Sequence, residues 1–199
     1  MTTLVDLRRR RQAADPDVGG LEAYLAQLVG EPFRFARVSY GDELTLHFGD
    51  LRPGRSARSA LRHGAYIVGL RASPWLLKSG VQALVVTAGV PAVEVPASFG
   101  EQLQKEDLER GGFIAPESRV LAAIPVALPM LDGFALEMRM SDGSALFALP
   151  SRSDVADSDL DSAVESPGVA DWELLAPHGL LSAWPGLRWT FEPFLPQGG

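Results

Sequence analysis

The sequence has 199 residues and contains no cysteine, no asparagine and only two lysines, against sixteen arginines. The lack of cysteine excludes disulfides, thiolate metal sites and cysteine nucleophiles. Lysine and asparagine have AT-rich codons, so their scarcity is typical of a GC-rich bacterial genome and the arginine excess is not by itself a sign of phosphate recognition. The sequence has no apolar run of about 18 residues that could form a transmembrane helix, and the apolar core of a signal peptide is missing from its start. We therefore expect a cytoplasmic protein without a membrane anchor.

Negative charge is concentrated in the second part of the chain. The net charge is −7, with +4 in residues 1–80 and −11 in residues 81–199. A protein that binds nucleic acid over a broad face is normally basic overall, so this balance favours a protein partner over nucleic acid. Residues 154–165 are acid-rich, and together with Asp171 and Glu173 they are predicted to steer a basic partner.

Residues 21–29 have the apolar spacing of an amphipathic helix, with apolar side chains at i, i+3, i+4, i+7 and i+8. Gly30 and Pro32 predict its end, because glycine accepts the left-handed conformation and proline cannot continue the hydrogen-bond ladder. A capping pattern at Ser98 and Glu101 predicts a second, short surface helix over residues 102–110.

Two β-hairpins are predicted from alternating apolar residues. A three-residue loop at 41–43 would place Val38 opposite Leu46, with a bulge near Ala36 where the alternation changes phase. The second hairpin turns at Asp142-Gly143, a pair typical of tight turns. Its predicted pairing sets Met138 opposite Phe147 with both side chains buried, and leaves Glu137 and Arg139 exposed on the other face.

Three strands are predicted near the C-terminus, in a segment that holds three of the four tryptophans. They cover residues 172–176, 180–184 and 187–192, separated by turn sequences that contain proline and glycine. A three-residue loop centred on His178 would place Trp172 opposite Trp184.

These patterns predict an α+β protein dominated by antiparallel strands, arranged as two sheets or a partly open barrel, with an N-terminal amphipathic helix and a short surface helix. The predicted organisation is a flexible arm over residues 1–19, an α+β body over 20–150, an acidic loop over 151–168 and a C-terminal β-meander over 169–199 that packs on the body.

The string Asp171-Trp-Glu-Leu-Leu, followed by Pro177-His-Gly and Pro185-Gly-Leu-Arg-Trp, resembles the C-terminal strands of small strand-rich bacterial proteins of uncharacterised function. Some of these are immunity proteins of polymorphic toxin systems. The block that starts at Tyr40, with Gly64-Ala-Tyr and Ala72-Ser-Pro-Trp, is similar to the N-terminal half of such proteins. The resemblance covers about half of the chain and rests on turn and tryptophan spacing. It implies a binding or neutralising role and transfers no catalytic residue.

No nucleophile elbow, phosphate loop, dinucleotide fingerprint or His-Glu-x-x-His motif is present. The three histidines are dispersed in the sequence, but His47 and His63 could meet in space with a nearby carboxylate such as Asp42, Glu43 or Asp50. Such a site would suit a hydrolase or a metal-dependent enzyme. The alternative is that each histidine has only a structural role. We predict no cofactor and no structural metal.

Two groups of residues are candidates for binding. Arginine forks match carboxylate and phosphate oxygens, so an arginine-rich segment could contact an anion or nucleic acid. Tryptophan is enriched at interface hot spots, although alternating aromatics on strands usually pack in a core. The two groups are Arg52, Arg55, Arg58 and Arg62, and Trp172, Trp184 and Trp189.

The sequence therefore favours a non-catalytic bacterial protein that binds another protein, of the immunity-protein kind. The first alternative is an enzyme built on His47 and His63. The second is an anion or nucleic-acid binder that uses the arginines of residues 52–62. The oligomeric state stays open.

Overall fold

The computed structural model describes residues 17–38, 43–53, 63–70, 73–80, 85–88, 114–150 and 170–194. Helix α1 covers Val18–Leu25 and continues as a 3₁₀ turn over Ala26–Leu28. Within the described ranges eleven strands follow, namely β1 (Phe33–Val38), β2 (Leu44–Phe48), β3 (Tyr66–Leu70), β4 (Trp75–Lys78), β5 (Val85–Ala88), β6 (Val120–Leu128), β7 (Gly133–Met140), β8 (Ala145–Ala148), β9 (Trp172–Ala176), β10 (Gly179–Trp184) and β11 (Arg188–Pro193).

The strands form two antiparallel sheets, which confirms the predicted α+β class with mainly antiparallel strands. Sheet A has six strands in the order β1-β2-β3-β9-β10-β11, and sheet B has five in the order β5-β4-β8-β7-β6. In the described part of the chain neither sheet closes into a barrel, so the alternative of two sheets is the correct one. In the sequence, the strands of sheet B (β4 to β8) lie between β3 and β9. These two strands are neighbours in sheet A, where Ile67 pairs with Leu175.

The core lies between the two sheets. Sheet A contributes alternate residues of β2 and β9, such as Leu46, Phe48 and Trp172, and sheet B contributes Leu136 and Met138 of β7. These side chains are 0–1% exposed, and the opposite residues of each strand face outward, as the two-residue period of a strand requires.

Helix α1 connects the free edges of the two sheets. It packs against β6 of sheet B, and its Tyr24 ring stacks on Phe191 of β11 in sheet A with ring centroids 4.4 Å apart. Trp189 of the same strand donates a hydrogen bond from its indole nitrogen to the carbonyl of Asp17. The predicted amphipathic helix is therefore present. It begins at Val18, capped by Asp17, within the segment predicted to be a flexible arm.

Backbone hydrogen bonds join the sheets at two further places. Gly30 donates to the carbonyl of Val120 at 2.8 Å. At the other end of β6, the carbonyl of Asp132 accepts from the amide nitrogens of Gly186 at 2.6 Å and Leu187 at 3.4 Å. Asp132 and Leu187 both adopt positive φ angles, of 52° and 50°, to make this junction between the two turns.

The first hairpin has a longer loop than predicted. Val38 pairs with Leu44 rather than Leu46, so residues 39–43 connect the strands. This shift is by two residues, and a two-residue shift keeps each side chain on its predicted face. The predicted bulge is present, but it lies at Arg34, between Phe33 and Phe35.

The second hairpin has a different register from the predicted one. Met138 pairs with Leu146 and Glu137 pairs with Phe147, so the prediction that Met138 faces Phe147 is wrong by one residue. The physical reason is the turn: residues 141–143 form a three-residue loop, with Gly143 at a φ of +85° and the Asp142 carboxylate accepting from the amide of Ser144. A one-residue shift moves every side chain of β8 to the other face.

The C-terminal meander is present, again with a one-residue change. Gly179 pairs directly with Ala176, so the first turn holds only two residues, and Trp172 lies opposite Ala183 instead of Trp184. Trp172 and Trp184 therefore belong to opposite faces of sheet A. The predictions for residues 1–16, for the surface helix at 102–110 and for the acidic loop at 151–168 lie outside the described residues.

Candidate functional site

His47 and His63 meet, as the sequence analysis allowed. The two rings are stacked with centroids 5.9 Å apart, and the other face of His47 stacks on Phe35 at 4.1 Å. His47 is only 3% exposed although it lies on the outward side of β2. Its Nδ1 accepts a hydrogen bond from the backbone nitrogen of Gly64 at 3.2 Å, so the neutral ring carries its proton on Nε2.

This pair of histidines is poorly arranged for a metal. The lone pairs of an imidazole lie in the plane of the ring, so stacked rings do not direct them at one point, and Nδ1 of His47 is already occupied. Asp50, the predicted carboxylate partner, is 98% exposed and contacts Arg34 at 4.0 Å instead. Within the described ranges no group of three or more His, Asp or Glu side chains could hold a metal ion.

Of the four arginines predicted to bind an anion, the described residues include Arg52, and Arg55, Arg58 and Arg62 lie outside them. Arg52 is exposed, and its backbone exchanges two hydrogen bonds with that of His63, of 2.7 and 2.9 Å. Arg52 is therefore placed next to the stacked histidines, at the end of sheet A.

The three tryptophans have three different environments. Trp172 is fully buried, and its indole nitrogen donates to the carbonyl of Phe134 in sheet B at 2.8 Å. It is a core residue rather than part of a surface. Trp189 is half-buried beneath α1, and the half-buried Trp184 donates to the hydroxyl of Thr190 on the outward side of sheet A. The structure does not bring them together as one recognition surface.

Asp171, which was predicted to help steer a basic partner, is fully buried at the start of β9 and presents no exposed carboxylate; steering by the acidic residues stays a prediction. The backbone carbonyl of Asp171 accepts from the hydroxyl of Ser73 at 2.6 Å, which fixes the chain between the sheets. Glu173, two residues later, is half-buried, and Ser182 of the neighbouring strand lies 3.4 Å from its carboxylate.

A different surface stands out on sheet B. Its outward side, which we call the outer face of sheet B, carries apolar residues from three strands. Phe147 and Val126 are 36% and 38% exposed, and Leu76 and Ile124 are half-buried. The pairings Leu76–Phe147, Phe147–Glu137 and Glu137–Ile124 place these positions in one row across β4, β8, β7 and β6. The apolar positions therefore continue across the sheet, with one acidic residue among them.

The charged residues of this face lie close to that apolar row. Arg139 donates to the carboxylate of Glu137 at 2.6 Å, and both residues lie on β7. Lys78 occupies the same row as Arg139, with Ala145 between them, and is exposed. Among the described residues, the outer face of sheet B carries these two cations and one anion. Its charge is therefore +1, in a chain whose net charge is −7.

This face could not be recognised from the sequence, for an identifiable reason. Strand β6 reads Val-Leu-Ala-Ala-Ile-Pro-Val-Ala-Leu and is apolar at every position. A continuous apolar strand is typical of burial on both faces, whereas one face of β6 points outward here. The predicted register of the second hairpin also concealed this face, because it was wrong by one residue and placed Phe147 in the core.

Comparisons with protein-family models, with curated protein sequences and with solved structures give no match to this chain. None of the described helices is long and apolar enough to cross a membrane.

Proposed function

We propose that this chain is a non-catalytic, cytoplasmic bacterial protein that binds another protein through the outer face of sheet B. The observation that carries the proposal is the exposure of Phe147 beside Leu76, on the same face as Val126. An antiparallel sheet with one solvated side normally has polar residues on that side. Clustered exposed apolar side chains on a soluble domain are typical of an interaction surface.

The positions of the perturbed ionisable groups support a non-catalytic role. Catalytic sites bring such groups together in one cleft. Among the described residues, His47 and Asp142 have clearly shifted pKa values. These two lie on different sheets, and each accepts a backbone hydrogen bond that fixes the local fold.

The chemistry of the face indicates what the partner offers. The apolar row requires an apolar surface, and the polar rim of a protein interface is where a charge such as Lys78 is accommodated. Because Arg139 is already paired with Glu137, Lys78 is the cation that a carboxylate of the partner would approach. We therefore propose a partner with an apolar patch bordered by an acidic residue. The resemblance to immunity proteins supports the same kind of role, in which binding neutralises the partner.

The test is affinity capture from a lysate of the source organism with three forms of the full chain. The wild-type chain is compared with Phe147→Asp and with Leu51→Asp. Leu51 is 40% exposed but follows β2 in sheet A, so it is matched to Phe147 in exposure and in the change made. We expect a stoichiometric protein to be retained by the wild type and by Leu51→Asp and to be lost with Phe147→Asp.

A second pair of variants tests the charge. Lys78→Glu should weaken binding of the same protein by about fivefold, and Lys78→Arg should retain it, since a rim charge contributes about 1 kcal/mol or less. Equal retention by the wild type and Phe147→Asp would contradict the proposed surface. Absence of any stoichiometric protein with the wild type would contradict the proposed function itself.

A further inference from the structure

His47 is a buried titratable group that the proposed binding surface does not use. Its Nδ1 accepts from the nitrogen of Gly64, which lies 17 residues further along the chain and just before β3. The backbone there is pressed against β2, because a Cβ on Gly64 would meet the carbonyl oxygen of Phe48 at 2.5 Å. The hydrogen bond therefore fixes the start of β3 to the end of β2.

A neighbouring pair of hydrogen bonds fixes the same region. The nitrogen of His63 donates to the carbonyl of Arg52 at 2.9 Å, and the nitrogen of Arg52 donates to the carbonyl of His63 at 2.7 Å. His63 also stacks on the ring of His47. Of the contacts that hold the chain just before β3, the one made by Gly64 requires a neutral ring at position 47.

Protonation removes the acceptor on which this arrangement depends. An imidazolium has two N–H donors and no lone pair, so Nδ1–H would point at the N–H of Gly64. The surroundings also disfavour the charge: β1 brings Arg37, the chain before β3 brings His63, and β3 itself places the apolar Ile67 opposite His47. Glu173 of β9 is an acidic residue on this side of the sheet, and it pairs with Gly69 in the row adjacent to that of His47.

We propose that the His47–Gly64 hydrogen bond is an acid-sensitive connection that holds the start of β3 on β2 at neutral pH and releases it when His47 takes up a proton. This hydrogen bond lies in sheet A and is independent of the proposed binding surface on sheet B. Burial, with the positive charges of Arg37 and His63, lowers the pKa of His47 from 6.5 to about 4. The stabilisation is therefore complete above pH 6.5 and is lost as the pH falls towards 4.

The size of the effect follows from the two pKa values. The pKa of the His47 ring is 6.5 when the ring is released and about 4 when it is held. The ratio of released to held molecules is therefore about 10²-fold higher at pH 4 than at neutral pH. Hydrogen exchange at the amide of Gly64, followed by NMR on the full chain, measures this release directly. We expect its protection factor to fall about 10²-fold between pH 7 and pH 4, while that of Leu174 in the middle of sheet A changes much less.

Two variants separate the histidine from other effects of acid. His47→Gln supplies an amide oxygen that can accept from Gly64 but does not titrate, so the protection of Gly64 should become independent of pH. His178→Gln removes a histidine from the exposed turn between β9 and β10 and should behave like the wild type. An unchanged protection of Gly64 in the wild type down to pH 4 would overturn the proposal, and so would an equal loss in His47→Gln.

A measurement on the wild-type protein keeps the test valid if His47→Gln fails to fold. The ¹⁵N shifts of the imidazole report which nitrogen carries the proton and at which pH the ring titrates. We expect the Nε2–H form at pH 7 and a titration midpoint near pH 4. A midpoint near the ordinary value of about 6.5, or the Nδ1–H form at neutral pH, would contradict the proposal.

Discussion

Phe147 lies directly opposite Glu137, on neighbouring strands of sheet B, and both side chains point away from the core. The residues before and after Phe147 point inward, so Leu146 packs against Met138 and is 2% exposed. One hairpin register thus decides which of two adjacent apolar residues stabilises the fold and which one is available to a partner.

The first prediction compares these two neighbours. Leu146→Ala removes a fully packed side chain and should lower the free energy of unfolding by about 2–5 kcal/mol. Phe147→Ala changes a partly exposed side chain and should lower it by less than about 1 kcal/mol. Urea unfolding of both variants measures the difference. A larger loss for Phe147→Ala than for Leu146→Ala would show that the register of β7 and β8 is wrong.

The second prediction uses two glycines of sheet A. A Cβ at Gly64 would meet backbone atoms of Phe48 at 2.5 and 2.6 Å, whereas a Cβ at Gly69 would meet nothing within 4 Å. Gly64→Ala should therefore destabilise the protein by about 1–3 kcal/mol, as overpacking does. Gly69→Ala should stabilise it by about 0.4–1 kcal/mol, because it restricts the unfolded chain. Thermal unfolding provides the comparison, and equal effects of the two changes would contradict it.

The third prediction concerns the tryptophans. Trp172→Phe removes the donor to the buried carbonyl of Phe134 and leaves space in the core, so the free energy of unfolding should fall by about 2–4 kcal/mol. Trp184→Phe removes a donor from an exposed hydrogen bond and should lower it by less than about 1 kcal/mol. Denaturant titration of the two variants tests this, with the stronger effect expected at Trp172.

The fourth prediction is an acid dependence at Asp142. Burial alone would raise the pKa of this carboxyl, but hydrogen bonds from the amides of Ala115 and Ser144 outweigh it and lower the pKa below 3.8. The folded state therefore binds fewer protons than the unfolded state. Its stabilisation is complete above pH 3.8 and is lost as the pH falls through the lower, folded-state pKa.

Asp142→Asn tests this dependence. Because an amide has only one acceptor oxygen for the two backbone donors, the variant should be about 1–2 kcal/mol less stable at pH 7. Its stability should also change less than that of the wild type between pH 4 and pH 2.5. Parallel slopes of wild type and variant in this range of pH would contradict the assignment.

Side-chain alternation predicted the strands of the two hairpins and of the C-terminal meander, but not the uniformly apolar β6. Turn length limited what could be predicted about the pairing of the predicted strands. The loop after Val38 is two residues longer than predicted, and because a strand repeats every two residues the faces stayed correct. The turn at Asp142 differs by one residue, and every residue of β8 changed sides. The carboxylate of Asp142 accepts from Ala115, a distant residue, so this turn is shaped by a tertiary contact that local patterns do not contain.

The candidate sites show the same limit. The meeting of His47 with His63 could be anticipated, since a strand and the segment that returns to it lie close together. The burial of Trp172 and Asp171 could not be anticipated, because both residues are covered by sheet B, whose strands lie far away in the sequence. The exposed apolar face was missed because apolar strands are equally consistent with burial on both sides.

The neighbouring positions of β3 and β9 affect the order in which the chain can fold. Ile67 pairs with Leu175, so about a hundred residues, including all of sheet B, must be synthesised before sheet A can be completed. Until β9 emerges from the ribosome, β3 is an unpaired edge that exposes backbone groups and can pair wrongly. Contacts this distant also make folding slow. In a nascent chain, sheet A therefore stays incomplete until its last three strands are made.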